Sequence, residues 1–498
     1  MTIEKMEVPI TPDNRMVPIV IVSLLMLFAA LVAPVGTLRA RAVTAEEMEG
    51  IWQGVLKHSG MELLVAFNIT LNPDRTLTAT MDVPEQDAIG IPIDKIDFDG
   101  ITLRLEIVPI GGVFEGKLDE DSNLIHGQWS QGGAEIELVL ESTDESPTLK
   151  RPQEPQEPFP YRVEEVAFRS TESNVTLAGT LTLPISDGTF PAVLLLSGSG
   201  PQDRDETVFG HRPFLVLADH LTRRGIAVLR VDDRGVGGST GDFSKATAVD
   251  FAADAVAGIT FLMGREEING ESIGIIGHSE GGLIAPMVAA RMPEIAYIVL
   301  IASPGLPIRE MDILGEEADL RANGASDDLV VKFRAMTESL FEVIIQTSDS
   351  AAVLSSFSTI ISGTFKELSE EERKIVEVSE ENLDGYIQNR AQRLHSPWFR
   401  FYLPYDPGTV LQKVTCPVLA LNGDKDTQVP AGENLMAIGR ALKTGGNQDY
   451  FVRKLPELNH LLQTAETGSI SEYGKIEETM SPQAMEVISN WILDRTTP

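Results

Sequence analysis

Three short stretches of this 498-residue chain hold residue types that could carry out acyl transfer: Gly277-His278-Ser279-Glu280-Gly281, Asp424-Lys425-Asp426 and Asn459-His460. A serine hydroxyl becomes a nucleophile when a base takes its proton, and a carboxylate that orients the base stabilises the cation so formed. Ser279 follows an apolar run ending at Ile276 and precedes a helical pattern opening at Gly281. That spacing predicts a strand, a sharp turn and a helix, with glycines where side chains would clash. A second Gly-x-Ser-x-Gly, Gly237-Gly238-Ser239-Thr240-Gly241, lies well past its strand end at Val231, beside Asp232, Asp233 and Arg234, and reads as a loop.

Asp424 and Asp426 both follow a strand-like run. Asp426, ahead of Thr427-Gln428-Val429-Pro430, is the choice for orienting the base, and Asp424 suits an Asx-turn at the strand end. The base follows by order. Of seven histidines, His58, His126, His211 and His220 precede the serine, His278 adjoins it and His395 precedes the acid, which leaves His460. Developing negative charge needs backbone donors. One is the amide of Glu280. The other is assigned to Ser199 in the turn Ser197-Gly198-Ser199-Gly200-Pro201, with the Gly198 amide as second choice. No Gly-Lys-Ser/Thr follows that turn, which argues against a nucleotide loop.

These residues need a scaffold, and the patterning supplies one. From 43 to 145 short alternating stretches such as Leu63–Phe67 and Ile101–Ile107 alternate with Asn72-Pro73-Asp74, Asp99-Gly100 and Gly111-Gly112, predicting a small antiparallel β-barrel or sandwich. A proline-rich linker spans 146–161. Beyond it, from 162 to 498, apolar runs at 192–196, 226–231, 272–276, 296–301 and 417–421 alternate with helical patterns at 213–224, 249–263 and 281–291. That is an α/β design with a mostly parallel, doubly wound sheet. An acidic helical insertion at about 304–407 is expected to cap the sheet's carboxyl edge. It ends in Ser396-Pro397-Trp398-Phe399-Arg400-Phe401-Tyr402-Leu403, where Trp398 and Phe399 are expected to line an acyl pocket.

Composition bounds the alternatives. With 40 Lys+Arg against 74 Asp+Glu the net charge is −34, which argues against nucleic-acid partners. Apolar residues at 43% and charged residues at 23% exclude a wholly disordered or fibrous chain. The single cysteine, Cys416, rules out an intramolecular disulfide and any multi-cysteine metal site; it sits beside Pro417 at a strand start and is not the nucleophile. No metal or cofactor is expected. Residues 16–35 form an apolar run broken by Pro18 and Pro34, with Ala40-Arg41-Ala42 behind it. Residues 1–42 are therefore expected to be a signal peptide or membrane anchor of an exported protein, periplasmic, extracellular or attached to the outer face of the plasma membrane.

From about Val163 onward the chain resembles bacterial α/β-hydrolase esterases of the serine-aminopeptidase-like and dienelactone-hydrolase-like group. The resemblance rests on Leu196 to Asp205, Asp233 to Ser239, the Ser279 turn, Gly423 to Pro430 and Asn459 to Gln463. Ser197 departs from it, standing where many relatives have histidine. The resemblance implies a metal-free serine hydrolase that forms an acyl-enzyme, acting on small-molecule carboxylic esters of small or medium acyl groups. A peptidase or amidase with the same three residues is the alternative, and an inactive binding protein is the third reading.

Overall fold

The computed structural model describes residues 44–58, 61–84, 88–119, 122–132, 134–144, 150–170, 174–380 and 382–496. The expected export segment lies outside them. No helix among the described residues is long and apolar enough to cross a membrane.

The first part is an all-antiparallel sheet of β1 (Gly50–His58), β2 (Met61–Leu71), β3 (Leu77–Val83), β4 (Ala88–Pro92), β5 (Lys95–Phe98), β6 (Thr102–Ile107), β7 (Gly112–Asp119), β8 (Leu124–Gln131) and β9 (Ala134–Thr143). Their order is β4-β3-β2-β1-β9-β8-β7-β6-β5, so the strands at the two edges are neighbours in sequence. Ile93 and Asp94 join them. The Ile93 amide donates to Ala79 of β3 and the Asp94 amide to Glu106 of β6. A two-residue corner holding both edges forces the sheet to curl, which gives the half-barrel that the alternating pattern predicts. Inward residues of each strand, among them Trp52, Phe67, Leu105, Phe114 and Trp129, form one core.

The second sheet contains β10 (Arg162–Ser170), β11 (Val175–Leu183), β12 (Phe190–Leu196), β13 (Ala227–Val231), β14 (Ile268–His278), β15 (Tyr297–Ile301), β16 (Val418–Gly423) and β17 (Tyr450–Leu455). Its order is β10-β11-β13-β12-β14-β15-β16-β17. β10 and β11 are antiparallel, and every pair from β13 through β17 is parallel. The central strands are buried on both faces, which is why Val193–Leu195 and Ile298–Ile301 read as unbroken apolar runs. α1 (Pro213–Arg223) packs on one face. α2 (Ala248–Met263) and α3 (Gly281–Ala289) cover the other. This strand order and its two-sided helical cover define an α/β-hydrolase fold.

Between β15 and β16 run α4 (Ile308–Ala322), α5 (Asp327–Gln346), α6 (Ser350–Lys366), α7 (Glu370–Ile375), α8 (Leu383–His395), α9 (Pro397–Tyr402) and α10 (Gly408–Leu411). Most of them share a core of their own, built on Phe333, Leu340, Phe357 and Phe399. α11 (Ala431–Thr444) and α12 (Pro482–Thr496) return to the sheet.

Residues 150–161 have no regular structure, yet they are fastened. The Arg151 guanidinium donates to the carbonyls of Phe209, Gly210, Gly474 and Ile476, and Gln153 bonds Thr479 and Met480. Beside them His211, fully buried, meets Thr479 and the Tyr473 carbonyl. Burial, aided by the Arg151 cation, pushes its imidazole down from 6.5 to about 4.

Two outcomes follow. Arg151→Ala orphans four carbonyls and is expected to remove about 2 kcal/mol of stability, read as a lower urea midpoint at unchanged slope. Between pH 6.5 and about 4 the unfolded chain takes up a proton that folded His211 refuses. Stability should therefore fall as pH drops through that window, and His211→Gln should flatten the decline.

Candidate active site

β14 ends at His278 and α3 begins at Gly281, so only two residues make the turn. Ser279 sits at its apex with φ 51°, left-handed backbone that a non-glycine residue adopts only when its surroundings enforce it. They do. The Ser279 amide donates to the carbonyl of Ile301 at the end of β15, and Gly282 returns a bond to the Ser279 carbonyl. Gly277 and Gly281 are required by proximity: a Cβ on Gly277 would stand 2.2 Å from the Gly281 carbonyl oxygen, and one on Gly281 2.1 Å from that of Leu196. The helix thus starts hard against the end of β12, with Ser279 raised above the sheet edge.

The acid and the base come from the loops after β16 and β17. Asp426 is buried; its Oδ1 accepts the amides of Gln428 and Val429, and its Oδ2 lies 2.8 Å from His460 Nδ1. A carboxylate only accepts, so the shared proton belongs to Nδ1 and the lone pair of His460 to Nε2. The His460 loop is held by Asn459, whose Oδ1 accepts the amides of Leu461 and Gln463. The two loops touch where Gly423 lies under Leu458; a Cβ there would be 2.0 Å from the Leu458 carbonyl oxygen. Asp424 does not make the Asx-turn expected of it: its carboxylate accepts the Glu457 amide and ties the loop after β16 to the loop after β17.

Ser279 and the Gly198 loop are adjacent: a Cβ on Gly198 would be 3.4 Å from that of Ser279. Among the described residues no acceptor meets the amide of Ser199 or of Glu280. The Gly198 amide is occupied, donating to Glu206 Oε1 at 2.5 Å, so the second-choice donor is not free. The loop is fixed through Asp232, which holds the Arg204 amide and guanidinium, and through Asp233, which accepts the Gln202 amide. Ser239 bonds the Asp232 carbonyl and the Ala178 amide and serves the same loop framework.

A cleft opens beside this loop, lined by Leu196, Gly198, Asp233, Phe243, Phe251 and Glu280. Burial pushes the Glu280 carboxyl up to about 7, opposed only by a hydrogen bond from Trp398 Nε1 at 2.6 Å. Burial likewise takes Asp233 to about 7. Trp398 therefore reaches the site from α9. Phe399 does not: it is 1% exposed and packs on Phe341 within the core of the α4–α9 helices. Neighbours on a helix point to different faces, so only one of the two aromatic residues expected at the pocket can face it.

Glu206 and His278 carry no local signal in the sequence: His278 adjoins the serine, and Glu206 stands in a charged run with nothing to single it out. Both are buried, and they pair at 2.8 Å.

Residues 212–351 match the family described as serine aminopeptidase, S33. Over 154 residues the chain is 31% identical to Esterase EstD of Thermotoga maritima, which takes in 31% of this chain and 37% of that protein. Over 92 residues it is 37% identical to the uncharacterized protein RP471 of Rickettsia prowazekii, 18% of this chain and 37% of that one. The alignments thus span little more than a third of these relatives. Among solved structures, the Pyrococcus furiosus esterase PF2001 superposes with a TM-score of 0.40 at 18% identity, covering 67% of this chain and 91% of that one. Est1E from Butyrivibrio proteoclasticus, with ferulic acid bound, gives 0.40 at 16% identity, covering 67% and 100%.

Gly281→Ala sets a methyl group against the Leu196 carbonyl. It is expected to abolish any Ser279-dependent turnover and to lower the melting temperature, checked by calorimetry beside an activity assay.

Proposed function

We propose that the protein is a serine hydrolase that cleaves carboxylic esters of small or medium acyl groups through an acyl-enzyme, with Ser279 as nucleophile, His460 as base and Asp426 as the carboxylate that orients it. The observation that carries this reading is the 2.8 Å Asp426–His460 bond together with a serine at the apex of a left-handed turn. Similarity to an esterase over 154 residues supports the ester class.

The chemistry runs in two halves. His460 Nε2 takes the Ser279 proton as Oγ attacks the ester carbonyl, and the oxyanion of the tetrahedral intermediate accepts hydrogen bonds from the Ser199 and Glu280 amides. Collapse breaks the bond to the alkoxide, which leaves with the proton from His460. Water then attacks the acyl-enzyme with His460 again as base, restoring Ser279 and releasing the acid. Asp426 stays ionised and stabilises the imidazolium in both halves. Each role belongs to a group in the chain, so the cycle needs no metal or cofactor.

A peptidase or amidase reading has one observation of its own, the match of residues 212–351 to a family described as serine aminopeptidase. Turnover of p-nitrophenyl esters against aminoacyl anilides separates the two. The ester reading requires the esters to be cleaved with much the higher kcat/KM, and the reverse order overturns it. Under either, Ser279→Ala and His460→Ala are expected to lose roughly a thousandfold or more in kcat. The cleft beside Glu280 would take the acyl group. Trp398→Ala should then shift the chain-length preference, and an unchanged preference would remove Trp398 from the pocket. We also propose export, from the apolar run at 16–35; recovery of the full-length chain in the cytoplasmic fraction would refute it.

A further inference from the structure

A buried pair that the proposed triad does not use joins the oxyanion loop, the serine turn and the base. His278 immediately precedes Ser279. Its Nδ1 lies 2.8 Å from Glu206 Oε1, and its Nε2 lies 3.1 Å from the carbonyl oxygen of His460. The same Glu206 oxygen accepts the Gly198 amide, one residue before the proposed donor Ser199. Glu206 is 3% exposed and sits at φ 54° in the loop after β12, its amide held by the Asp203 carbonyl.

The protons on this ring can be deduced. A peptide carbonyl has none to give, so Nε2 must donate to His460. At Nδ1 the partner is Glu206 Oε1, which already accepts the Gly198 amide, and the upward direction of the His278 ring goes with Nδ1 donating to that oxygen as well. An imidazole that donates through both nitrogens is a cation. The charged and titratable groups that face it are Glu206 from the loop after β12, Asp426 from the loop after β16, and His460 from the loop after β17, whose ring centroid is 4.8 Å away. The other walls, Phe214, Ile301, Leu461 and Met480, carry no charge. Burial works against the cation, but the charge and hydrogen bond of Glu206 prevail and the net direction is upward.

We propose that Glu206 and His278 are positioning residues: a standing carboxylate–imidazolium pair that sets the oxyanion loop, Ser279 and His460 relative to one another. The proposal rests on the triad reading above. The three segments follow three different strands, β12, β14 and β17, and the pair adds one side-chain contact that spans all three. The pair does so through a single carboxylate oxygen and a single ring. It also sets a fixed cation beside the base, balanced by an anion on the far side.

The test has a spectroscopic and a kinetic arm. In protein labelled with ¹⁵N-histidine, the signals that vanish in His278→Gln should be those of a doubly protonated ring at pH 7.5; a neutral tautomer there overturns the proposal. Kinetically, His278→Gln and Glu206→Gln are expected to lose about tenfold or more in kcat with KM nearly unchanged, and Glu206→Asp to recover part of the loss. With the cation beside His460 gone, the acidic limb of kcat/KM in His278→Gln should move to higher pH. A pair that served folding alone would lower the melting temperature and leave both kcat and the limb in place, which would sink the idea. Should His278→Gln fail to fold, Glu206→Gln keeps shape and the Gly198 acceptor and carries the kinetic arm. Full activity in Ser279→Ala would instead refute the triad and this proposal with it. Loss in Ser279→Ala with unaltered kcat in both pair variants would refute the pair alone.

Discussion

The left-handed turn at Ser279 is the constraint on which the site depends. A strand cannot run into a helix within two residues unless the backbone enters a region that side chains disfavour, and the cost is of order 1–3 kcal/mol. The sheet supplies the compensation: β14 is central, hydrogen-bonded on both sides, and α3 is buried along its whole length. A strained serine at the edge of a rigid sheet has one orientation. Every other group of the site then has to be brought to it.

Loops bring them, and loops are ordinarily loose. Here each is tied by buried polar contacts. Asp232 holds Arg204, Asp426 is fastened by two backbone amides, and Asn459 stitches its own turn around His460. The α4–α9 helices meet the same centre through Trp398, which bonds Glu280, and through Gly315 of α4, which lies against the Gln428 carbonyl, while the bulk of their aromatic residues hold that unit together. The core of the insertion also takes in Leu283 of α3 and Val429 beside the acid, so its packing and the site share a boundary.

Much of this was legible in the sequence, for identifiable reasons. Runs such as 192–196 and 296–301 are apolar without alternation because both faces of those strands are covered, and the helices at 213–223 and 248–263 have amphipathic periods with Pro213 and Thr247 at their starts. The order of serine, acid and histidine along the chain picked out His460, and the place of Asp426 after a strand and ahead of Thr427 to Pro430 picked out the acid; the structure joins the two. β17 was not marked because Tyr450–Leu455 is an edge strand carrying Arg453 and Lys454, and its pattern looks like a surface segment. Glu206 and His278 were invisible for a deeper reason. Their partnership spans 72 residues and depends on a left-handed backbone at Glu206, and neither fact leaves a local pattern.

The corner at Ile93 and Asp94 bears on the fate of this chain in solution. An open antiparallel sheet offers its outermost strands as templates on which other chains can add strands of their own. Here the outermost strands are five and four residues long, and both run into a corner whose amides are already bonded to Ala79 and Glu106. A second molecule finds little ladder to extend. The half-barrel is thereby guarded against strand-by-strand association at the edges where such a sheet is most vulnerable.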